Sequence, residues 1–548
     1  MAASARIDTF ARDNLPPRSQ WPEFIFNLPG LRYPDRLNVA AELLDRMVEK
    51  GLGGKPCVFS PSENLTYAAL LARVNRIANV LTRDLGLVPG NRVLLRGPNN
   101  PMMFAAYLAV MKAGGIVVAT MPLLRAKEIS YTARRTKTAL ALCDERLSEE
   151  MEKAKVSTPD LKRIVYWADA AAGELGEMMR KPGYENFAAC DTAADDVCLI
   201  GFTSGTTGEP KGTMHFHRDM LATCDTYGAH VLRADPVDRF IGSAPLAFTF
   251  GLGGHMLFPM RIGASTILLE KAPPEDVLAA IEKFRATVCF TAPTAYRAML
   301  AKLASHDISS LRKCVSAGEP LAKATWEAWF AATGVKIMDG IGSTEMLHIF
   351  IGAPEDEIRP GATGRPVPGY QAKIIGEDGR NLPAGAIGRL AVRGPTGCRY
   401  LADERQKKYV QDGWNVTGDT YTCDADGYFW YQARSDDMII SSGYNIAGPE
   451  VEAALLAHSA VAECGVVGVP DAERGQLVKA FIVLKTGQAG DAALTKTLQD
   501  FVKAEIAPYK YPRLIEYVTV LPRTDTGKLQ RFRLRETATG QASTKLAS

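Results

Sequence analysis

A regular alternation of helical and strand-like segments restricts what this chain can fold into more than any other feature of its sequence. Between residues 66 and 136 the order is helix 66–86, strand Arg92–Leu95, helix 101–113, strand Ile116–Ala119 and helix 127–136. The same alternation returns between residues 276 and 316. Because strands that alternate with helices assemble into sheets covered by helices, the sequence predicts an α/β fold with layered sheets.

The pattern changes near Ala386, where short β runs are separated by Gly and Asp turns. These runs lie at Gly388–Val392, Tyr428–Tyr431 and Met438–Ile440, and they predict a small β-barrel-like section. The last hundred residues have the mixed pattern of a separate α+β unit. We therefore predict a large N-terminal domain of layered αβα sheets with the β-rich section, followed by a small C-terminal domain.

Charge and cysteine usage narrow the class of partner. Lys and Arg number 64 and Asp and Glu 61, so the net charge of +3 gives no field that favours nucleic acid or an anionic membrane as the main partner. The ten cysteines are scattered singly, without metal-ligand spacing, as in a reduced compartment. The most apolar run, Met102–Met121, is interrupted by Lys112 and a Gly-Gly pair, which favours a buried helix and strand over a membrane span. We expect a cytoplasmic protein with a small-molecule partner.

The most informative string, Thr203–Gly212, follows the apolar run Val197–Phe202. Its glycines let the backbone approach an anion, its hydroxyls and N–H groups donate hydrogen bonds, and Lys211 supplies a positive charge. It is not a Walker A loop, because Gly212 follows the lysine where that motif has Ser or Thr. The string predicts a cradle for phosphate groups.

Five further motifs accompany this cradle, and together the six resemble the adenylate-forming superfamily of acyl-CoA synthetases, adenylation domains and luciferases. The resemblance covers residues 25 to 535. The further motifs are Ser316–Leu321, Asp339–Glu345, Thr417–Asp419, Tyr431–Gly443 and Pro522–Arg531.

The resemblance implies a nucleotide site built from several of these motifs. It places these residues around ATP or AMP: Thr203, Ser204, Gly205, Thr206, Thr207, Gly208, Gly318, Glu319, Pro320, Asp339, Gly340, Ile341, Asp419 and Arg434. In the family pattern Asp339 meets the adenine amino group, Asp419 accepts hydrogen bonds from the ribose hydroxyls, and Arg434 binds ribose or phosphate. Ile341 stands where most relatives carry tyrosine, so adenine would pack on an aliphatic side chain.

The resemblance also implies how charge is handled during catalysis. Lys211 would hold the departing pyrophosphate, Thr344 would meet a phosphate oxygen, and Glu345 would bind Mg²⁺. Lys528 would neutralise the carboxylate and the α-phosphate. The co-substrates would be ATP and coenzyme A.

A hinge follows from the same resemblance. Residues 1–435 would form the AMP-binding and acyl-binding domain, and residues 436–548 would form a mobile lid that pivots at Asp436. Gly443 would then lie against the pantetheine arm of coenzyme A.

The acyl pocket is expected to be lined by Phe248, Thr249, Phe250, Gly342, His348 and Ile349. The runs Asp339–Phe350 and Gly394–Tyr400 resemble the benzoate and 2-aminobenzoate CoA ligase group in particular. Thr249 and Phe250 depart from the Ala and Tyr of benzoate ligases, and Ile440 stands where some of them carry Lys. The hydroxyl of Thr249 and the imidazole of His348 favour a substituted ring such as 2-aminobenzoate, whose amino group needs a partner once it is desolvated.

Other interpretations stay open at this point. The Phe248 and Phe250 pair also fits core packing, and His348 also fits a buried histidine with satisfied hydrogen bonds. A medium-chain fatty acyl-CoA synthetase and an adenylating enzyme that loads a carrier protein have nearly the same motifs. A nucleotide-binding regulator without catalysis is disfavoured, because the five key residues are intact. A homodimer is left open. The five residues are Lys211, Glu345, Asp419, Arg434 and Lys528.

Overall fold

Four β-sheets and the helices that cover them make up the computed structural model of the chain. It describes residues 4–168, 172–203, 210–434, 437–441, 444–471, 474–506, 508–524 and 527–538. Two sheets are mainly parallel and lie in the first 366 residues, and two smaller ones follow. This is the predicted α/β class, with a large N-terminal domain and a small C-terminal domain.

The first large sheet has six strands, five of them parallel and the last antiparallel. In spatial order they are Arg163–Trp167, Leu140–Asp144, Arg92–Arg96, Ile116–Thr120, Val197–Phe202 and Gly212–Phe216. The antiparallel pair at one edge brackets the phosphate-cradle string, since Phe202 is paired with Gly212. The cradle therefore connects two strands of a rigid sheet edge.

The second large sheet has nine strands, with a parallel centre and antiparallel ends. In spatial order they are Arg365–Pro366, Ile349–Gly352, Ile337–Gly342, Lys313–Ser316, Val288–Thr291, Arg239–Gly242, Ser265–Ile267, Pro56–Phe59 and Asn64–Thr66. Ser316 and Asp339 are direct partners across two neighbouring parallel strands. The carboxyl ends of these strands therefore bring two of the predicted nucleotide motifs to the same edge.

Two smaller sheets complete the chain. The antiparallel β-rich section contains Gln371–Ile375, Gly388–Arg393, Val410–Gln411, Trp414–Cys423 and Phe429–Arg434. The C-terminal sheet contains Ile439–Ser441, Tyr444–Ile446, Val461–Asp471, Gly475–Leu484 and Leu514–Tyr517. Its own apolar core includes Val451, Ile482 and Val502.

Helices cover both faces of the large sheets. The α-helices are Phe10–Asp13, Tyr67–Asn79, Pro101–Lys112, Ala126–Thr136, Ser148–Val156, Gly173–Met179, His217–Thr223, Thr249–Leu252, Phe258–Ile262, Pro274–Phe284, Pro293–Leu300, Lys323–Thr333, Gln406–Tyr409, Gly448–Ala457, Ala492–Glu505 and Arg531–Ala538. Wider-turned helical segments lie at Ala41–Asp45, Val48–Leu52, Val80–Asp84, Cys224–Leu232 and Gly253–Leu257.

The most apolar helix, Pro101–Lys112, is buried along its whole length, as its composition predicts. Asn100 caps it by accepting a hydrogen bond from the Met103 amide. The buried Lys112 ammonium donates to Asp45 and Asn75, each at 2.6 Å. Among the described residues, no helix combines the length and apolarity needed to cross a membrane.

One fully buried ion pair connects the first sheet to the β-rich section. Arg399 and Asp219 have no exposed side-chain surface, and the guanidinium donates to the carboxylate. The Arg399 Nε also donates to the Met214 carbonyl at 3.1 Å, and the guanidinium lies 3.9 Å from the centre of the Phe216 ring. This pair fixes where the segment that ends in Tyr400 meets the strand Gly212–Phe216.

Candidate active site

The two ends of the phosphate-cradle string are joined by hydrogen bonds. The Thr203 amide donates to the Lys211 carbonyl at 3.0 Å, and the Lys211 amide donates to the Thr203 hydroxyl at 3.1 Å. The predicted cradle residues Ser204, Gly205, Thr206, Thr207 and Gly208 lie outside the described residues, as do Asp436 and Gly443. The side chain of Ile440 is also outside the described part.

Lys211 and Glu345, predicted from separate motifs, lie 3.7 Å apart from Nζ to Oε1. A third residue stands between them: the Lys211 ammonium donates to the Tyr400 hydroxyl at 2.7 Å, and that hydroxyl donates to the Glu345 carboxylate. Tyr400 was not among the predicted site residues. Its two partners lie 189 and 55 residues away in sequence, so no local pattern marks it.

Thr344 is held from two sides. The His215 Nε2 donates to the Thr344 carbonyl at 2.8 Å. A Cβ added at Gly201 would lie 3.2 Å from the Thr344 methyl and 3.9 Å from that of Thr249. Gly201 therefore lets the first sheet approach both residues closely, and this strand glycine, like His215, carries no motif signal of its own.

The predicted adenine residues surround an unpaired carboxylate oxygen. Oδ1 of Asp339 is buried and has no hydrogen-bond partner among the described residues. Burial raises the pKa of Asp339 to about 8, and the Ser316 side chain and the Gly340 backbone offset only part of that rise. An acceptor without a partner fits a ligand that brings an N–H group, as the adenine amino group does. The neighbouring Ile341 is half-buried against the main core.

The predicted ribose residues also come together. The Arg434 guanidinium lies 3.7 Å from the Asp419 carboxylate, and the Asp419 amide donates to the Thr417 hydroxyl at 3.3 Å. Burial raises the pKa of Asp419, and the positive charge of Arg434 opposes that rise. Gly418 has a φ of +79° and lies beside the guanidinium, where a Cβ would stand 3.5 Å from Nη2.

The C-terminal loop brings Lys528 into this group. A Cβ added at Gly318, whose φ is +92°, would lie 3.8 Å from the Lys528 Cε. Burial and the charge of Arg434 lower the pKa of Lys528, whereas the carboxylates of Glu319, Asp419 and Glu345 raise it. The lysine therefore feels charges from four of the other motifs at once.

A second cation of the C-terminal domain, Arg523, contacts the predicted adenine turn, Ser316–Leu321. The Arg523 guanidinium lies 3.3 Å from the Glu319 carboxylate and 2.7 Å from that of Glu463. Pro320 continues the turn from Glu319 and is exposed.

Two of the predicted acyl residues, Phe250 and His348, belong to a wall of packed rings. Phe250 and His348 have ring centres 5.7 Å apart, and Phe258, Phe290 and Tyr227 surround the imidazole at 4.6, 6.4 and 5.5 Å. Phe250 also packs against the main core, so the interpretation as core packing describes part of its role. Tyr227, in a helical stretch remote from the motifs, is a wall residue that sequence reasoning missed.

Polar atoms in this wall have no partners. Both ring nitrogens of His348 and the hydroxyl of Tyr227 are buried without a hydrogen bond in the described part of the chain. Burial lowers the pKa of His348 to about 3, so its imidazole is neutral at pH 7. No partner for either ring nitrogen lies at hydrogen-bond distance among the described residues, and the role of His348 stays a prediction.

Glycines make room for the imidazole. A Cβ at Gly253 would lie 2.3 Å from the His348 Cδ2, and one at Gly342 would lie 2.7 Å from the His348 carbonyl oxygen. Ile349 is buried beside Gly340, and Phe248 and Thr249 are half-buried at the start of the helix Thr249–Leu252. Gly342 itself is exposed, so the rim of the wall is open to solvent.

Magnesium is the metal ion that the sequence implies, and Glu345 is its predicted ligand. Groups of three or more His, Cys, Asp or Glu side chains at metal-binding distances are absent from the described ranges. Mg²⁺ needs no such cage, since it is commonly bound by one or two carboxylates, water and substrate phosphates. A single carboxylate beside the end of a phosphate cradle fits that requirement.

Family comparisons match most of the chain. The AMP-binding enzyme family matches residues 45–400, and the AMP-binding enzyme C-terminal domain matches residues 450–528.

Individual proteins are similar over nearly their whole length. A benzoate–CoA ligase of Thauera aromatica is 37% identical over 516 residues, which is 92% of this chain and 97% of the relative. A 4-hydroxybenzoate–CoA/benzoate–CoA ligase of Rhodopseudomonas palustris is 34% identical over 92% of this chain and 94% of the relative. The crystal structure of the anthranilate CoA ligase AuaEII with anthranoyl-AMP superposes with a TM-score of 0.89 at 37% identity, covering 94% of this chain and 100% of that one.

The raised pKa of Asp339 gives a prediction about stability. The folded chain keeps this carboxyl protonated up to about pH 8, whereas the unfolded chain releases the proton near the ordinary pKa of 3.8. Folding therefore takes up a proton between these values, and the contribution of Asp339 to the free energy of unfolding falls as pH rises through that range. Asp339→Asn removes this contribution. The urea midpoint of the variant should therefore rise relative to that of the wild type as pH increases from 5 to 8.

Asp500→Asn is the matched control. Asp500 is exposed, and its bonds to Lys496 and Lys503 hold its pKa below the ordinary value, so it does not titrate between pH 5 and pH 8. Its urea midpoints should run parallel to those of the wild type. If the midpoints of Asp339→Asn also run parallel, the carboxyl is ionised in the folded protein and the interpretation is wrong.

Proposed function

The chain belongs to the AMP-binding enzyme family and is an AMP-forming acid–thiol ligase, and on this premise we propose that it joins an aromatic carboxylate to coenzyme A through an acyl-adenylate. The observation that carries the aromatic assignment is the wall of rings around His348, which contains Phe250, Phe258 and Phe290. The relatives named as benzoate and hydroxybenzoate ligases support it.

We further propose that the ring carries an ortho amino group, as in 2-aminobenzoate. A neutral imidazole offers one acceptor nitrogen, and a phenol oxygen offers another, so the unpartnered atoms of His348 and Tyr227 suit a substituent with N–H donors. Thr249, at the start of its short helix, adds a second hydroxyl. The solved neighbour named as an anthranilate CoA ligase supports this choice.

The first half-reaction brings two negatively charged groups together. A carboxylate approaches the α-phosphate of ATP, and pyrophosphate leaves, so positive charge must stand where negative charge develops. We assign Lys211 to the leaving pyrophosphate and Lys528 to the carboxylate and α-phosphate. Mg²⁺, when bound by Glu345 and the phosphates, supplies further positive charge. Asp339 accepts from the adenine amino group, and Asp419 with Arg434 orients the ribose.

The second half-reaction needs a different arrangement at the same site. The acyl-adenylate must be shielded from water and then offered to the thiol of coenzyme A. We propose that the C-terminal domain pivots at Asp436, withdraws Lys528 and brings Gly443 to the pantetheine arm. The present position of Lys528, beside Gly318 and the carboxylates, suits the adenylate-forming orientation.

A panel of acids tests the proposal. Pyrophosphate release and thioester formation are measured with ATP, Mg²⁺ and coenzyme A, using benzoate, 2-aminobenzoate, hydroxybenzoates and C6 to C10 fatty acids. We expect thioester product with the aromatic acids and the highest kcat/KM with 2-aminobenzoate. Preference for the fatty acids would assign a medium-chain acyl-CoA synthetase. Pyrophosphate release without thioester would point to a carrier protein as the acceptor.

The proposed role of Thr249 gives a second prediction. Thr249→Ala removes a hydroxyl from the wall, and losing one neutral hydrogen bond costs about 0.5–1.5 kcal/mol. The ratio of kcat/KM for 2-aminobenzoate to that for benzoate should therefore fall roughly threefold to tenfold. Thr249→Ser keeps the hydroxyl and should keep the ratio. An unchanged ratio in Thr249→Ala would exclude contact between this hydroxyl and the amino group.

The division of labour between half-reactions gives a third prediction. Lys528→Ala should lower adenylate formation by about a hundredfold to a thousandfold, the usual cost of removing one group that stabilises a transition-state charge. Thioester formation from supplied acyl-AMP should stay within about twofold. The control Lys496→Ala removes a lysine of the same domain that is 77% exposed, and it should leave both rates unchanged. Equal loss of both half-reactions in Lys528→Ala would contradict the assignment.

A further inference from the structure

Tyr400 occupies an unusual position between two opposite charges. Its side chain is fully buried, and its hydroxyl accepts a hydrogen bond from the Lys211 ammonium while it donates one to the Glu345 carboxylate. The ammonium also lies 4.6 Å from the centre of the Tyr400 ring. Both ions are hydrogen-bonded to the phenol oxygen, and the Lys211 ammonium also lies over the ring.

The backbone around Tyr400 is held firmly, so the phenol cannot drift away from this position. The Tyr400 amide donates to the side-chain oxygen of Gln406 at 2.9 Å. The amide group of Gln406 in turn donates to the carbonyls of Gln20 and Cys398, at 2.8 and 3.1 Å. The adjacent Arg399 is anchored by its buried ion pair.

The Tyr400 hydroxyl keeps Lys211 and Glu345 from forming a direct hydrogen-bonded ion pair. Lys211 and Glu345 are only 3.7 Å apart, and their side chains are 25% and 9% exposed. In such a weakly solvated place a direct ion pair would be favourable, and it would have to be broken before Lys211 could bind phosphate. A phenol hydroxyl satisfies both ions with hydrogen bonds and holds their nearest atoms 3.7 Å apart, beyond direct hydrogen-bond contact.

We propose that Tyr400 is a positioning residue that keeps Lys211 and Glu345 from pairing, so that the lysine is free to receive the phosphates of ATP. The inference rests on the proposed function of these two residues. Tyr400 acts through them and touches no reacting atom itself.

Tyr409 provides a matched comparison within the same cluster. Its ring packs edge-on against Tyr400, with centres 5.7 Å apart, and lies 5.7 Å from the Lys211 ammonium. Its hydroxyl, however, stands 3.4 Å from that of Ser343. Tyr409→Phe therefore removes a buried hydroxyl beside the same lysine without removing a bond to either ion.

The experiment measures ATP binding to the full-length protein without acid, coenzyme A or Mg²⁺, by titration calorimetry. Tyr400→Phe should raise the Kd for ATP about tenfold, because binding must first break the new hydrogen-bonded pair of Lys211 and Glu345. Tyr409→Phe should change it less than about twofold. In a Glu345→Gln background the Tyr400→Phe substitution should also change it less than about twofold, since no carboxylate remains to capture the lysine.

Each outcome separates this inference from the proposed function. Wild-type protein that does not bind ATP would overturn the proposed function. If the wild type binds ATP and Tyr400→Phe binds it equally tightly, only the role of Tyr400 is overturned. An equal loss in both Glu345 backgrounds would make Tyr400 a general packing residue and overturn the role as well. Failure of Tyr400→Phe to fold would do the same, because the hydroxyl would then be needed for stability.

Discussion

The buried ion pair between Arg399 and Asp219 is the contact on which the geometry of the nucleotide end depends. It joins residues 180 apart, and removing one partner of such a pair costs about 3–5 kcal/mol because an unpaired charge stays buried. Asp219 also lies 3.9 Å from the ring of His215, which holds the Thr344 carbonyl. The residue after Arg399 is Tyr400, which contacts Glu345, so this one pair fixes the neighbours of both Thr344 and Glu345.

The two ends of the site use polar groups in opposite ways. Where we propose that the nucleotide binds, charged side chains such as Lys211, Glu345 and Arg434 have partners within the chain. In the ring wall, the polar atoms of His348 and Tyr227 are buried and unpaired, although each such atom typically costs about 1–3 kcal/mol. The stability of the surrounding core must offset that cost. A substrate that supplies the missing hydrogen bonds recovers it, and one that lacks them does not.

The sequence predicts the architecture well because strands and helices have strong local signals. The strand Ile116–Thr120 begins where predicted and extends one residue beyond the predicted end, and the apolar helix ends at Lys112, one residue before the prediction. Lys528 lies near Gly318 and feels the charges of Glu319, Asp419 and Glu345, which belong to three other motifs. The assignments of role to these residues stay predictions.

What the sequence does not reveal are contacts that depend on tertiary packing alone. His215 and Tyr227 lie in ordinary strand and helix patterns. Nothing in the local sequence indicates that His215 bonds to the Thr344 carbonyl or that Tyr227 packs against the His348 ring. Tyr400 appears in the sequence only as part of a string of family likeness. The role proposed for Tyr400 depends on Lys211 and Glu345, which are distant in sequence. Their proximity cannot be inferred without the fold.

The contact between Arg523 and Glu319 makes ionic strength a control on the proposed domain movement. The two side chains are 27% and 14% exposed, and a C-terminal domain that swings away must separate them, while Arg523 keeps its contact with Glu463 inside the moving domain. Dissolved salt screens partly exposed charges over about 8 Å at physiological concentration. Because the charges of this pair are only 3.3 Å apart, well within that length, added salt weakens the contact only in part, and under the proposed movement it shifts the balance modestly toward the swung orientation.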